Sequence, residues 1–130
     1  MNSIKQIKFW SNIFFLIPLA FAISYGVYWH AVIQGLVFII SSYYHFHHEK
    51  RIEYIDVFAS SVLIIANFTL LFLGHWHLPF SILAFPIGAM VALYFYYRQF
   101  KGNYNVNHGL WHICSAIIST LCVITFLSGK

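Results

Sequence analysis

The stretch FWSNIFFLIPLAFAISYGVYWHAVIQGLVFIISSYY, Phe9 to Tyr44, is one apolar block broken only by scattered single polar residues. How often it crosses a bilayer decides the fold. As a single helix, at about 1.5 Å per residue, it would far exceed the ~30 Å of hydrocarbon in a membrane. A tight turn near Gly26 to His30 therefore divides it into two helices, Phe9 to Gly26 and Val27 to His45. Three more apolar stretches follow, Ile55 to Gly74, Leu78 to Tyr97 and Val106 to Leu127. Each of the five has roughly the 17–25 residues that a helical crossing needs. The expected fold is all-α, a polytopic transmembrane bundle of five helices in one domain. Pro18 is expected to kink the first helix, and Pro86 with Gly88 the fourth.

Composition agrees with a lipid solvent. Of 130 residues 61% are hydrophobic and 8% charged, whereas a soluble domain carries about a quarter charged residues. Seven Lys/Arg and three Asp/Glu cannot wet the large surface of a small fold. A nucleic-acid binder would cluster its cations on one face; here they stand singly or in pairs between apolar runs, so no nucleic-acid partner is expected. Counted by alternate loops, Lys5, Lys8, Lys50, Arg51, Arg98 and Lys101 fall on one side and Lys130 alone on the other. This asymmetry predicts a cytoplasmic N-terminus and an external C-terminus. Fusing the first two segments would spoil it. Trp10, Trp29, Trp76 and Tyr43, Tyr44, Tyr94, Tyr96 and Tyr97 sit near the predicted ends, as interfacial belts do. Lys5, Lys8, the apolar run and Ala20-Phe21-Ala22 also fit a signal peptide; retention as the first helix is expected. Cys114 and Cys122 share one apolar run, which excludes a disulfide framework.

Eight histidines beside three acids point to metal or proton chemistry. On the five-helix topology the unusual polar residues converge. Ser41 and His45 end the second helix, Asp56 begins the third, and His108 with His112 begins the fifth, all toward the cytoplasmic leaflet. His108 and His112 are spaced i, i+4, so their imidazoles stack one turn apart on one face and both can reach one metal ion. On spacing alone, two interfacial polar residues near a helix start remain the blander alternative.

The set Ser41-Ser42-Tyr43-Tyr44-His45, then Asp56, then Asn107-His108-Gly109-Leu110-Trp111-His112 resembles the signature of the CREST superfamily of integral membrane hydrolases. That superfamily includes alkaline ceramidases, progestin and adipoQ receptors and the myomaker group. Its members carry S-x-x-x-H on one helix, an Asp at the start of the next and H-x-x-x-H on a later one. The eleven-residue step from His45 to Asp56 looks most like the ceramidase branch. The resemblance implies that His45, His108 and His112 are zinc ligands, that Asp56 is the acid that manages water at the metal, and that Ser41 stands behind the first ligand. Three imidazoles with an open fourth position are the usual set for a catalytic zinc. An acid beside it can act as general base and then proton donor, and a serine can steady an oxyanion or a ligand. The family has seven helices. The two that are missing here leave the lipid cavity either open or closed by a second subunit of a homo-oligomer. Alkaline ceramidases also carry an acidic N-terminal calcium site; nothing before Glu49 is acidic, so calcium dependence is not expected and ceramide is a less secure substrate.

The leading expectation is thus an intramembrane zinc-dependent hydrolase acting on an amide or ester bond of a membrane lipid. The alternative is a non-enzymatic, receptor-like or fusion-related membrane protein that keeps the metal as a structural clasp. Haem would want axial histidines from opposite faces, and a transporter would want ionisable groups at mid-membrane. Elsewhere, His47 and His48 read as solvated headgroup contacts. His75, His77 and His30 read as polar turn residues at the outer side. Ser42 competes with Ser41 for the serine role. Glu49 and Glu53 read as exposed partners of Lys50 and Arg51, worth little. Gln34 and Asn67 read as hydrogen bonders between helices, Asn105 or Asn107 as the cap of the fifth helix, and the cysteines as small apolar core residues.

Overall fold

The computed structural model describes Ile7 and residues 9–130, all of the regular structure among them helical. Lys5 and Lys8 lie outside the described residues. Five helices follow one another: α1 at Ser11–Ser24, α2 at Tyr28–His47, α3 at Lys50–Leu73, α4 at Phe80–Arg98 and α5 at Tyr104–Ser128. Helices α3, α4 and α5 are long and apolar enough to cross a membrane, and α1 is a shorter apolar helix. α2 has the length, 20 residues, but carries a polar stripe on its inward face.

The division of the opening block falls where expected. Gly26 turns the chain with φ +74°, a left-handed conformation that costs glycine little. The Val27 N–H then donates to the Ala22 carbonyl at 2.8 Å. The break expected at Pro86 is present, and at Pro18 the change is one of winding. Pro18 has no N–H for the Phe14 carbonyl, and the turn that precedes it, Ser11–Phe15, is wound as a tighter 3-10 helix. In α4 the helix is broken at Phe85, whose dihedrals are extended (φ −148°, ψ 123°), immediately before Pro86.

Two boundaries differ from the sequence expectation. α3 begins at Lys50, not Ile55, so Asp56 lies in the second turn rather than at the helix start. Lys50, Arg51 and Glu53 are good helix formers, and charge at an exposed end does not require the chain to leave the helix. Only His48, left-handed at φ +55°, and the extended Glu49 link α2 to α3. α5 begins at Tyr104 and is capped by Asn103, not by Asn105 or Asn107. The Asn103 side-chain oxygen accepts from the Val106 N–H at 3.2 Å, while the Asn107 amide donates to the Asn103 carbonyl at 2.8 Å.

α5 is the central element, packing on α1, α3 and α4, and α2 packs on α1 and α3. Small residues make these approaches close: Ala22, Ala31, Ala66, Ala84 and Ala116 are all buried, the composition expected where helix backbones meet in lipid. A methyl group on Gly74 would stand 2.6 Å from the Thr125 carbonyl, so the ends of α3 and α5 require glycine there. The backbones of α3 and α4 do not pack on each other; the rings of Phe68 and Phe85 meet across the gap at 5.2 Å. Outward, large apolar side chains such as Phe58, Ile65, Phe72, Met90 and Leu93 stay exposed, a continuous surface unsuited to water.

Candidate metal centre

At the end of the bundle where α2 finishes and α3 and α5 begin, every helix contributes a polar side chain. His45 comes from the last turn of α2, and His108 and His112 from the second and third turns of α5. All three are buried. Their candidate ligand atoms lie within 4.8 Å of one another, close enough to hold one metal ion. His108 Nε2 is 3.1 Å from His45 Nε2, which is 3.4 Å from His112 Nε2. A tetrahedral site with metal–nitrogen bonds of 2.0–2.1 Å sets its nitrogens about 3.3–3.4 Å apart. The two separations from His45 are close to that of a ligand set, and the i, i+4 step on α5 brings His108 and His112 to the same point.

The outer ring nitrogens are held too. His108 Nδ1 is 2.6 Å from Gln99 Oε1 at the end of α4. A carbonyl oxygen only accepts, so Nδ1 carries the proton and Nε2 keeps its lone pair for the shared point. His112 Nδ1 is 3.0 Å from Ser11 Oγ of α1. Tyr104 stacks on the His108 ring at 5.0 Å and Phe15 tilts against His112 at 5.7 Å. Three imidazole nitrogens directed at one buried point are a donor set that a cation can take up. The residues fit a metal ion by donor type, spacing and support.

The centre forms one corner of a cavity of about 310 Å³ between α3, α4 and α5, at the lower end of the range for ligand pockets. His112, Ser41 and Asp56 line that corner, and Leu63, Ala89 and Trp111 are among the residues of the apolar wall. Asp56 is half-buried, and its Oδ1 is shielded with no hydrogen-bond partner among the described residues. It is not a member of the cluster itself, which consists of the three histidines. Ser41 is buried; its hydroxyl donates to Asn12 Oδ1 at 3.4 Å and lies close to the Asp56 carboxyl. Ser42 is half-buried and does not line the cavity. Of the two serines, Ser41 is the one at the site.

All five residues singled out by sequence, Ser41, His45, Asp56, His108 and His112, therefore lie at one end of the bundle. Sequence reasoning missed Ser11, Asn12 and Gln99, whose partners arise only from tertiary packing. His47 and His48 are exposed, as are His75 and His77. The expectation for His30 fails. It is fully buried rather than solvated in a turn, with Nε2 2.9 Å from Asn67 Oδ1, and the Asn67 amide donates to Ser119 Oγ at 2.9 Å. A readable signal existed: His30, Gln34, Val37, Ser41 and His45 recur at helical spacing and all are buried. Gln34 also departs from expectation, since its buried amide makes no hydrogen bond among the described residues. Asn67 is the interhelical bonder it was expected to be. Both cysteines are free. No protein-family model, curated protein or solved structure matches this chain.

Proposed function

We propose that this chain is an integral membrane hydrolase that uses zinc, held by His45, His108 and His112, to cleave an amide or ester bond of a membrane lipid, in the manner of the CREST superfamily it resembles. The observation that carries the proposal is the position of the three-histidine cluster: it stands at the corner of an apolar cavity, beside Asp56, whose Oδ1 has no hydrogen-bond partner among the described residues. The cavity would take the hydrocarbon chain and leave the scissile carbonyl at the corner. The bound ion would supply Lewis acidity, polarising the carbonyl and making water a better nucleophile near neutral pH.

The chain's own residues do the rest. Asp56 takes a proton from the attacking water as the C–O bond forms. It then returns that proton to the leaving nitrogen or oxygen as the acyl bond breaks, so acid and base roles alternate on one group. Ser41 turns its one hydroxyl proton from Asn12 to the developing oxyanion, or to the Asp56 carboxylate and so fixes it. Gln99 and Ser11 hold two imidazoles in the tautomer and orientation that ligation needs. Apolar neighbours limit competing water.

Membrane orientation is part of the proposal. Lys50, Arg51, Arg98 and Lys101 lie in or beside the two connections at the metal end, which supports a cytoplasmic position for that end by the positive-inside rule. Reporter fusions at the two termini should then read opposite sides; the same side for both would overturn five crossings.

A second reading has its own support. His45 belongs to α2 and His108 and His112 to α5, two helices that meet through the cluster more than through backbone packing. A metal there would also clasp them together without chemistry. Metal content and fatty-acid release from N-acyl lipids and lysophospholipids, measured on one zinc-loaded preparation, separate the two. Release supports the hydrolase, and a fully loaded protein inert on every class supports the clasp.

A further inference from the structure

Hydroxyl groups on these helices behave in two ways. Ser61, Thr69, Thr120 and Thr125 turn back onto the carbonyl four residues earlier at 2.8–2.9 Å, the usual way to quiet a hydroxyl in an apolar setting. Ser60, Ser115 and Ser119, which line the cavity, donate to no protein group among the described residues. Two of these, Ser115 and Ser119, continue the face of α5 that carries His112.

The deepest of them is also backed by a fixed chain of donors. His30 Nε2 meets Asn67 Oδ1 at 2.9 Å, and the Asn67 amide donates to Ser119 Oγ at 2.9 Å. Because Oδ1 only accepts, the His30 proton sits on Nε2, and each bond points the next donor toward α5. His30 and Ser119 are fully buried and Asn67 nearly so. The Ser119 oxygen is thereby committed as an acceptor, and its own proton has no protein acceptor among the described residues at the edge of the cavity that the residue lines. Packing alone does not require this, since a backbone carbonyl one turn away would have served.

We propose that Ser119, oriented by Asn67 and His30, is a polar subsite for an oxygen-bearing carbon, hydroxyl or carbonyl, in the middle of the bound hydrocarbon chain. It lies two helical turns from His112, about 10 Å along α5, so it selects oxygenated chains over plain ones at that depth. The inference rests on the reading that the cavity holds a lipid chain, but not on hydrolysis.

The test is competition binding to the full-length protein in lipid nanodiscs, with a fluorescent fatty acid displaced by octadecanoic acid or by a mid-chain hydroxy-octadecanoic acid. Both acids partition into the same lipid, so the quantity read is the ratio of their potencies in wild type divided by that ratio in Ser119→Ala. The expected value is roughly 3- to 10-fold, the worth of one satisfied hydrogen bond, with plain octadecanoic acid binding equally to both proteins. Ser119→Thr, which keeps the hydroxyl and the acceptor for Asn67, should retain the wild-type preference even if Ser119→Ala loosens the fold. A ratio near unity, or a preference that persists in Ser119→Ala, overturns the subsite alone. Failure of wild type to bind either acid overturns the lipid-cavity reading and the subsite with it.

Discussion

His30 and His45 occupy one inward stripe of α2, about four turns apart, and both are almost completely buried. Their ring nitrogens meet different company. His30 Nε2 donates to an amide oxygen on Asn67, while its Nδ1 has no partner among the described residues. His45 Nε2 instead meets the Nε2 atoms of two other histidines. Both histidines are buried on the same helix, so burial does not distinguish a structural histidine from a candidate ligand. What distinguishes them is whether the ring meets an amide or joins other imidazoles at a shared point.

The sharpest way to break this comparison is to remove one histidine from each end. His108→Ala should lose most of its metal, measured by elemental analysis of purified protein, because chelation is shared among three ligands. His30→Ala should keep a full complement. Equal retention in the two variants would dissolve the distinction. Next in size is Asp56→Asn. It should keep the metal yet lower lipid hydrolysis by about 10²–10⁴-fold, the usual share of acid–base catalysis. If hydrolysis is unchanged while metal is retained, the carboxylate has no part in the reaction and the clasp reading gains.

Gln99→Leu comes third. It removes the acceptor that fixes the His108 tautomer and should weaken metal affinity by roughly 10–100-fold without ejecting the ion at saturation, as seen generally for groups behind metal ligands. A chelator titration reads the difference, and no shift would mean that the 2.6 Å contact only packs. The smallest effect is expected at the other cluster. Asn67→Leu should lower stability in detergent by about 0.6–1.7 kcal/mol, the range for a hydrogen bond between membrane helices, with metal affinity unaltered. Thermal unfolding with and without chelator checks both parts.

Much of this was legible beforehand, for identifiable reasons. Five helices follow from apolar length, and the turn at Gly26 from the impossibility of a single crossing. The three histidines were singled out by the resemblance that S-x-x-x-H and H-x-x-x-H carry, on helices whose ends share one side; spacing alone left a blander reading open. The boundary at Lys50 was not legible, because charged residues that favour helix look like a loop when apolarity is the only guide. Ser11, Asn12 and Gln99 were invisible for another reason: a lone Ser or Gln near a helix end gains meaning only when folding sets an imidazole 3.0 or 2.6 Å away. His30 was misread because its neighbours in sequence, Trp29 and Gly26, suggest a surface turn, while its neighbours in space are one helical stripe.

The clustered histidines are widely separated along the chain: His45 and His108 are 63 positions apart. The first is synthesised on α2 and the other two only when α5 emerges, after α3 and α4 have been made. A nascent chain that reaches only to the end of α4 carries one of the three clustered imidazoles and could not hold an ion between them. An ion shared by the three would be held only once α5 has been made, and its retention would tell chains that contain α5 from chains arrested before it.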